Sequence, residues 1–284
     1  MSRRLASSSR RRKRNTTVIY VLLIIVSVLS FFPILWMVLT SIKIPQQMYS
    51  SPPRLLPSIV TTSHYQEVLE NPLMLRYFLN SAIVSSISTL ASIFTGMLAA
   101  YGFSRFRFRL KQPLYVFVLG SKMLPVMVLV IPLYIIFIRL KLVDNRLGLI
   151  IAYMALTLPL AVWLFRGFME RLPRELDHAA MIDGCSSFQT LRLVIVPLMR
   201  PAILAVAMYV FLLTWNDFLF ALIITVSESV RTISIGMTFY MEELFVNWGA
   251  LMATSTLMTL PPMIIYILFH KHLTLGLSEG AVKT

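Results

Sequence analysis

The chain has 284 residues, 57% of them hydrophobic and 13% charged, with a mean hydropathy of +0.77. Soluble domains are about half apolar and about a quarter charged, so this balance excludes an ordinary water-soluble protein. A formal charge of +14 would suggest nucleic acid in a soluble chain. Here the basic residues gather beside apolar runs, at Arg3 to Arg14, Arg105 to Lys111 and Arg166 to Arg174. Basic residues so placed set membrane topology, and no nucleic acid is implied as a partner. The single cysteine, Cys185, rules out an internal disulfide and reads as a small packing residue.

Apolar runs of roughly 20 residues, enough to cross a hydrocarbon core of about 30 Å, recur along the chain. They are continuous rather than alternating, which favours helices over a β-barrel. The predicted class is an all-α polytopic membrane protein embedded in a lipid bilayer. A basic tail, 1–17, precedes the first span at about 18–40. That run exceeds a signal-peptide core and lacks a small-residue cleavage site, so it reads as a retained anchor. Further spans are expected at about 80–102, 114–138, 147–168, 201–225 and 251–270, within a membrane domain of 18–275 followed by a tail, 276–284. The basic clusters place both termini, the Arg105 loop and the loop 169–200 in the cytoplasm. The short outer turn, with Arg139, Lys141 and Arg146 against Asp144, mildly opposes that rule.

Two outer segments are too long for hairpin turns, and long ordered loops often bind partners; a flexible connector is the alternative. The first is rich in proline (Pro45, Pro52, Pro53, Pro57). The later one carries Tyr240, Glu242, Glu243 and Trp248, the candidate residues for docking an extracytoplasmic protein. Prolines inside spans, at Pro33, Pro125, Pro132, Pro159, Pro261 and Pro262, suit either a bending protein or a packed bundle. Charge in hydrocarbon is costly, so Lys122 in the third span and Asp217 in the fifth are functional candidates. With Trp215 and Asn216 they could line a hydrated solute pathway. Equally, Lys122 and Asp217 could form a buried structural pair, or the lysine could snorkel.

The loop 169–200 has a pattern of its own. Pro173 suits a helix start. Leu172, Leu176, Ala179, Ala180 and Asp183 then recur at three- and four-residue spacing. Gly184 is placed to stop that helix, and Ser186 or Ser187 to cap a second one, whose apolar side runs through Phe188, Leu191, Val194 or Ile195, and Leu198. An amphipathic helix lying on the membrane would favour Lys and Arg on its polar face. Glu175, Asp177 and Asp183 argue instead for a helical knob that a soluble partner grips.

That loop resembles the signature loop of the permeases of binding-protein-dependent ABC importers, a pattern of Glu-Ala-Ala, two residues, Asp-Gly-Ala, a phenylalanine, then Leu-Pro-Leu and a further proline. Ala179, Ala180, Asp183, Gly184, Pro197, Leu198 and Pro201 match with every gap conserved. His178, Cys185, Leu191 and Val196 depart from it, and Glu175 lies one turn before the missing glutamate. Asn80-Ser81, Ala99-Ala100-Tyr101, Trp215-Asn216-Asp217-Phe218, Trp248-Gly249 and the tail Gly276 to Lys283 are similar to the carbohydrate permeases, in their MalG-like branch. The resemblance implies a type I ABC importer permease fold of six spans with a cytoplasmic coupling-helix loop. It implies a heterodimer with a second, MalF-like permease, two ATPase subunits and an extracytoplasmic substrate-binding protein. Contact with the ATPases would fall to Glu175, His178, Ala179, Ala180, Met181, Asp183, Gly184 and Phe188 within 172–200, and to the tail residues Gly280, Ala281, Val282 and Lys283. No cofactor is expected on this chain, which lacks a phosphate-cradling Gly-rich Lys loop; ATP and Mg would sit on the partner ATPases. A secondary transporter would need repeat halves and mid-membrane carboxylates. A membrane enzyme would need clustered His, Asp or Glu, and the four histidines are scattered apart from a terminal pair.

Overall fold

The computed structural model describes residues 2–241 and 246–278, with side chains for 16–241 and 246–270. Among the described residues the regular structure is helical, apart from isolated bridges between Lys43 and Val60 and between Met241 and Val246. The helices run in chain order as α1 (Ser2–Ser41), α2 (Pro45–Met48), α3 (Ser63–Glu70), α4 (Pro72–Arg105), α5 (Lys111–Gly120), α6 (Val126–Arg139) and α7 (Arg146–Met169). There follow α8 (Glu175–Ile182), α9 (Ser187–Thr190), α10 (Val196–Leu198), α11 (Arg200–Trp215), α12 (Leu219–Ile224), α13 (Ile233–Gly236) and α14 (Trp248–Ser278).

Among the described residues four helices are long and apolar enough to cross a bilayer: α1 over Thr16–Ser41, α4, α7, and α14 over Trp248–His270. Two bent pairs raise the number to six if each is one crossing. One corrects the expected continuous third span. There α5 with its 3₁₀ extension, Lys111–Met123, meets α6 at 107°. The cause is local, because Pro125 forces extended backbone on Leu124 (φ −76°, ψ 131°). The other pair, Ser187–Leu198 against α11, bends by 82° at Met199. The expected span 201–225 is also interrupted, since α11 stops at Trp215 and helix resumes only at Leu219. Helix α4 begins at Pro72 rather than near 80, with Asn71 capping the N–H of Leu73 and Pro72 at a position that needs no donor. Its 34 residues reach about 50 Å at 1.5 Å each, beyond the roughly 40–45 Å of bilayer and headgroups. Helix α14 likewise continues past the expected end at 270 to Ser278.

The chain divides into two compact units. The smaller comprises 1–70 and 240–257. In it the apolar side chains of α1 from Val18 to Phe32 are exposed, as lipid surroundings suit. Past that helix, Lys43 is buried; its Nζ donates to Arg54 O at 2.6 Å and lies 4.5 Å from the Trp36 ring. Burial pushes this ammonium below the usual lysine range. His64 Nε2 is 3.0 Å from Lys43 O, and Gly249 lies so flat against the His64 ring that a Cβ would collide with it.

The larger unit, 71–239 and 258–284, is built on α4, α7 and α11. Helix α4 turns Ser81, Ser85, Ser88, Thr89, Ser92 and Gly96 inward. Small residues allow close helix approach in lipid, where no hydrophobic force separates inside from outside. Ser92 and Thr157 hydroxyls meet at 2.8 Å between α4 and α7. Met97, Ala100 and Tyr101 of α4, Ala161 and Phe165 of α7, and Val206 and Val210 of α11 share one core with Leu191 and Ile195. At another point, the Asp144 carboxylate accepts N–H groups of Val226 and Ser227 at 2.9 and 2.8 Å. Those donors, Ser227 first, hold its pKa below the usual carboxylate range.

Candidate functional site

The loop after α7 folds into a compact knob whose two ends are closed by backbone chemistry. Gly184, at φ +83°, takes the left-handed conformation that a side chain would resist. Its N–H reaches Met181 O at 3.1 Å, and Cys185 N–H reaches Ala180 O at 2.9 Å. These paired bonds form a Schellman motif and satisfy the last carbonyls of α8. Ser186 rather than Ser187 caps the next helix. It accepts from Gln189 N at 3.3 Å while its own N–H donates to Gln189 Oε1 at 2.7 Å, a reciprocal capping box. From Ser187 the chain runs through α9, a π-turn at Leu191–Ile195 and α10.

The knob has two faces. Inward, Leu191 and Ile195 enter the core shared by α4, α7 and α11. Also inward is Asp177, whose Oδ2 lies 3.0 Å from Arg105 Nε, with both side chains under 10% exposed. Arg105 donates to Leu172 O at 3.2 Å, Tyr101 OH donates to Asp177 Oδ1 at 3.4 Å, and Arg174 donates to Ser104 O at 3.4 Å. The clasp fastens α8 to the last turn of α4. Outward, Glu175, His178, Ala179, Met181, Asp183, Gly184 and Phe188 are exposed, as is Ile182 at 86%. Ala180 alone of the expected contact residues is buried, at 6%. Exposed Ile182 next to exposed Met181 makes an apolar contact point at the end of α8, while exposed Phe188 borders a groove with Leu90, Ile93 and Phe94 of α4.

The sequence puts Asp177 with Glu175 and Asp183 on the face offered to a partner, whereas it is buried against Arg105; neither Arg105 nor Ile182 is singled out for the site by sequence. Asp177 stands one turn before buried Ala180, a phase that could have marked it as inward, but its partner lies on a distant helix. The expected apolar stripe of the second helix is split: Leu191 and Ile195 are buried while Phe188 and Leu198 are exposed.

The candidate pathway residues are not brought together as an ion pair. Asp217 Oδ2 accepts from Tyr153 OH at 3.0 Å, Phe220 N at 3.0 Å and Ala221 N at 3.2 Å. Its acceptor capacity goes to capping α12 and to α7, so of the alternatives the sequence leaves open the Lys122–Asp217 pair is the one not formed here. Lys122 instead borders a cavity of ≈ 200 Å³ with Ser121, Leu129, Ala152, Leu156 and Phe220. Trp215 is buried, donating from Nε1 to Met258 O at 3.0 Å and stacking on Phe211, so it braces the bundle. Asn216 is exposed at the break. Of the docking candidates, Tyr240 is buried at 7%, against the expectation of a surface residue, and its carbonyl accepts Asn247 N at 2.9 Å. Burial, then the Glu67 charge, pushes its phenol up. Trp248 is exposed, whereas Glu242, Glu243 and the tail residues Gly280, Ala281, Val282 and Lys283 lie outside the described residues. Among the described residues no cluster of His, Cys, Asp or Glu could hold a metal ion.

Fold and knob together define a multi-pass helical permease subunit of the cytoplasmic membrane, with the type I ABC importer architecture. Residues 92–278 match the family described as binding-protein-dependent transport system inner membrane component. The chain belongs to that family. It is 35% identical over 261 residues to the trehalose/maltose transport system permease protein MalG of Thermococcus litoralis, covering 91% of this chain and 93% of that protein. It is 30% identical over 252 residues to the diacetylchitobiose uptake system permease protein DasC of Streptomyces coelicolor, covering 89% and 91%. Its fold matches a solved bacterial ABC transporter involved in import of the acidic polysaccharide alginate, with a TM-score of 0.78, 21% identity, and coverage of 90% of this chain and 95% of that one.

Proposed function

We propose that the knob is a two-faced joint between external ATPases and the spans. The protein is a permease subunit of an ATP-driven sugar importer, in keeping with relatives named for trehalose, maltose and diacetylchitobiose. Its partners are a MalF-like permease, with which it forms the pathway, two ATPase subunits and an extracytoplasmic binding protein. ATP and Mg reside on the ATPases, and this chain takes no catalytic part. Both termini and the knob face the cytoplasm, and the tail residues Gly280 to Lys283 extend the ATPase contact. The observation that carries this reading is the division of labour on α8. Ile182, Met181 and Asp183 project outward, while Asp177 is locked to Arg105 of α4. ATPase closure displaces the outward face, and the clasp and the Leu191–Ile195 core pass that displacement to α4, α7 and α11. Lys122 and Asn216, at breaks in two spans, line the pathway. The test is co-purification: Ile182→Asp with Phe188→Asp should abolish capture of the ATPases while the second permease still co-purifies. Undiminished ATPase capture would refute the joint.

A further inference from the structure

The smaller unit contains a second built pocket, unrelated to the knob. Pro45, Met48, Tyr49, Ser63, His64, Glu67, Asn247 and Trp248 enclose a cavity of ≈ 230 Å³. Its polar groups are held in fixed directions. Asn247 Nδ2 donates to Glu67 Oε1 at 3.1 Å, and Asn247 Oδ1 accepts Ala250 N at 3.1 Å. Tyr49 OH donates to Val246 O at 2.9 Å. Since a carbonyl can only accept, His64 carries its proton on Nε2 towards Lys43 O, and Gly249 packed on that ring seats Trp248 at the start of α14. The pocket therefore offers two exposed aromatic rings beside a carboxylate, an amide and a hydroxyl. Aromatic faces cover the C–H side of a sugar ring, while carboxylate and amide bond its vicinal hydroxyls.

Charge narrows the ligand. Lys43, the nearby cation, is turned away onto Arg54 O and Trp36. Glu67 is thus the one formally charged side chain among the described lining residues, which repels phosphate, sulfonate and uronate groups. Size narrows it too, since drug-sized sites run to about 300–1,000 Å³, so this one holds about a single ring.

The geometry points to a neutral-saccharide subsite on the permease itself, in the segments that the basic-residue pattern assigns to the outside, which takes one uncharged sugar ring as solute arrives. This rests on the sugar-importer reading and adds a ligand class to it. The experiment uses the assembled complex of both permeases and ATPases in nanodiscs without binding protein, probed by saturation-transfer NMR with trehalose and with glucose 6-phosphate. Trehalose should receive saturation and the phosphorylated sugar should not. Glu67→Gln, an isosteric change, and Trp248→Ala should each weaken trehalose binding about tenfold or more, the loss of one charge-assisted bond or one stacked ring. If Trp248→Ala fails to assemble, Glu67→Gln decides alone. Absent trehalose saturation, equal saturation of both sugars, or affinity unchanged by Glu67→Gln overturns the subsite. So does a Glu67→Gln variant that loses binding-protein capture while keeping trehalose affinity, for the pocket would then be a protein-docking surface. Sugar uptake by the complex with its binding protein separates the two claims: uptake without the pocket signal refutes the subsite alone, and failure to import any sugar refutes the importer reading.

Discussion

Two carboxylates in the larger unit, Asp177 buried and Asp217 half-buried, are used in opposite ways. Asp177 is neutralised by Arg105 from another helix and so ties a projecting element to a span. Asp217 is satisfied mostly by its own chain, through the N–H groups of Phe220 and Ala221, with Tyr153 OH in addition. The first arrangement transmits, because neither helix can shift without carrying the ionic partner along. The second preserves a break, because a carboxylate that caps a new helical turn makes the interruption of the fifth span stable. The same acid takes different roles according to its partner.

The largest effect should come from halving the clasp. Arg105→Met or Asp177→Asn leaves a buried partner uncompensated, and such losses cost about 3–5 kcal/mol. Arg105→Met combined with Asp177→Leu should recover most of that in thermal unfolding of the purified complex; a double variant as unstable as either single one would deny that the two side chains act as a pair. Next comes Asp217→Ala, which strands two N–H groups and a phenol and should cost about 1–3 kcal/mol. Lys122→Met should leave stability unchanged, and a matching loss there would restore the discarded ion pair. Smaller again, Ser186→Ala removes the capping box at about 1 kcal/mol, read as faster proteolysis of the knob. The smallest is a pH effect at exposed Asp144. Its folded pKa is lowered, so its contribution is fully present above the unfolded value near 3.9 and is lost as pH falls through the folded value. Asp144→Asn should remove that acid-side slope from a stability-versus-pH curve, and an unaltered slope would assign the effect elsewhere.

The knob was legible because its punctuation is chemical: Gly184 stops α8 and Ser186 caps α9, each doing locally what its residue type dictates. The same holds for the apolar spans, whose length alone identifies a bilayer. Pro125 announced a disturbance in the third span and is its local cause, since it forces extended backbone on Leu124; what the residue type alone does not give is the size of the bend, 107°. Asp177 was hidden because the residue that turns it inward, Arg105, belongs to a different helix and read as a topology charge. The Lys122–Asp217 pair, one of the alternatives the sequence leaves open, is absent for the complementary reason: two opposite charges in hydrocarbon suggest each other, but the N–H groups of Phe220 and Ala221 take the carboxylate. Tyr240 read as a loop aromatic, and its burial brings it to residues distant in sequence such as Glu67, whose charge acts on its phenol.

The most direct measurement of the central claim is the number of ATP molecules hydrolysed per sugar imported by the reconstituted transporter carrying Arg105→Met with Asp177→Leu. With the outward face intact, the ATPases should bind and hydrolyse as before while import falls several-fold, raising that ratio. A ratio equal to that of the unaltered transporter would mean that force reaches the spans by another route, and the two-faced joint would have to be abandoned.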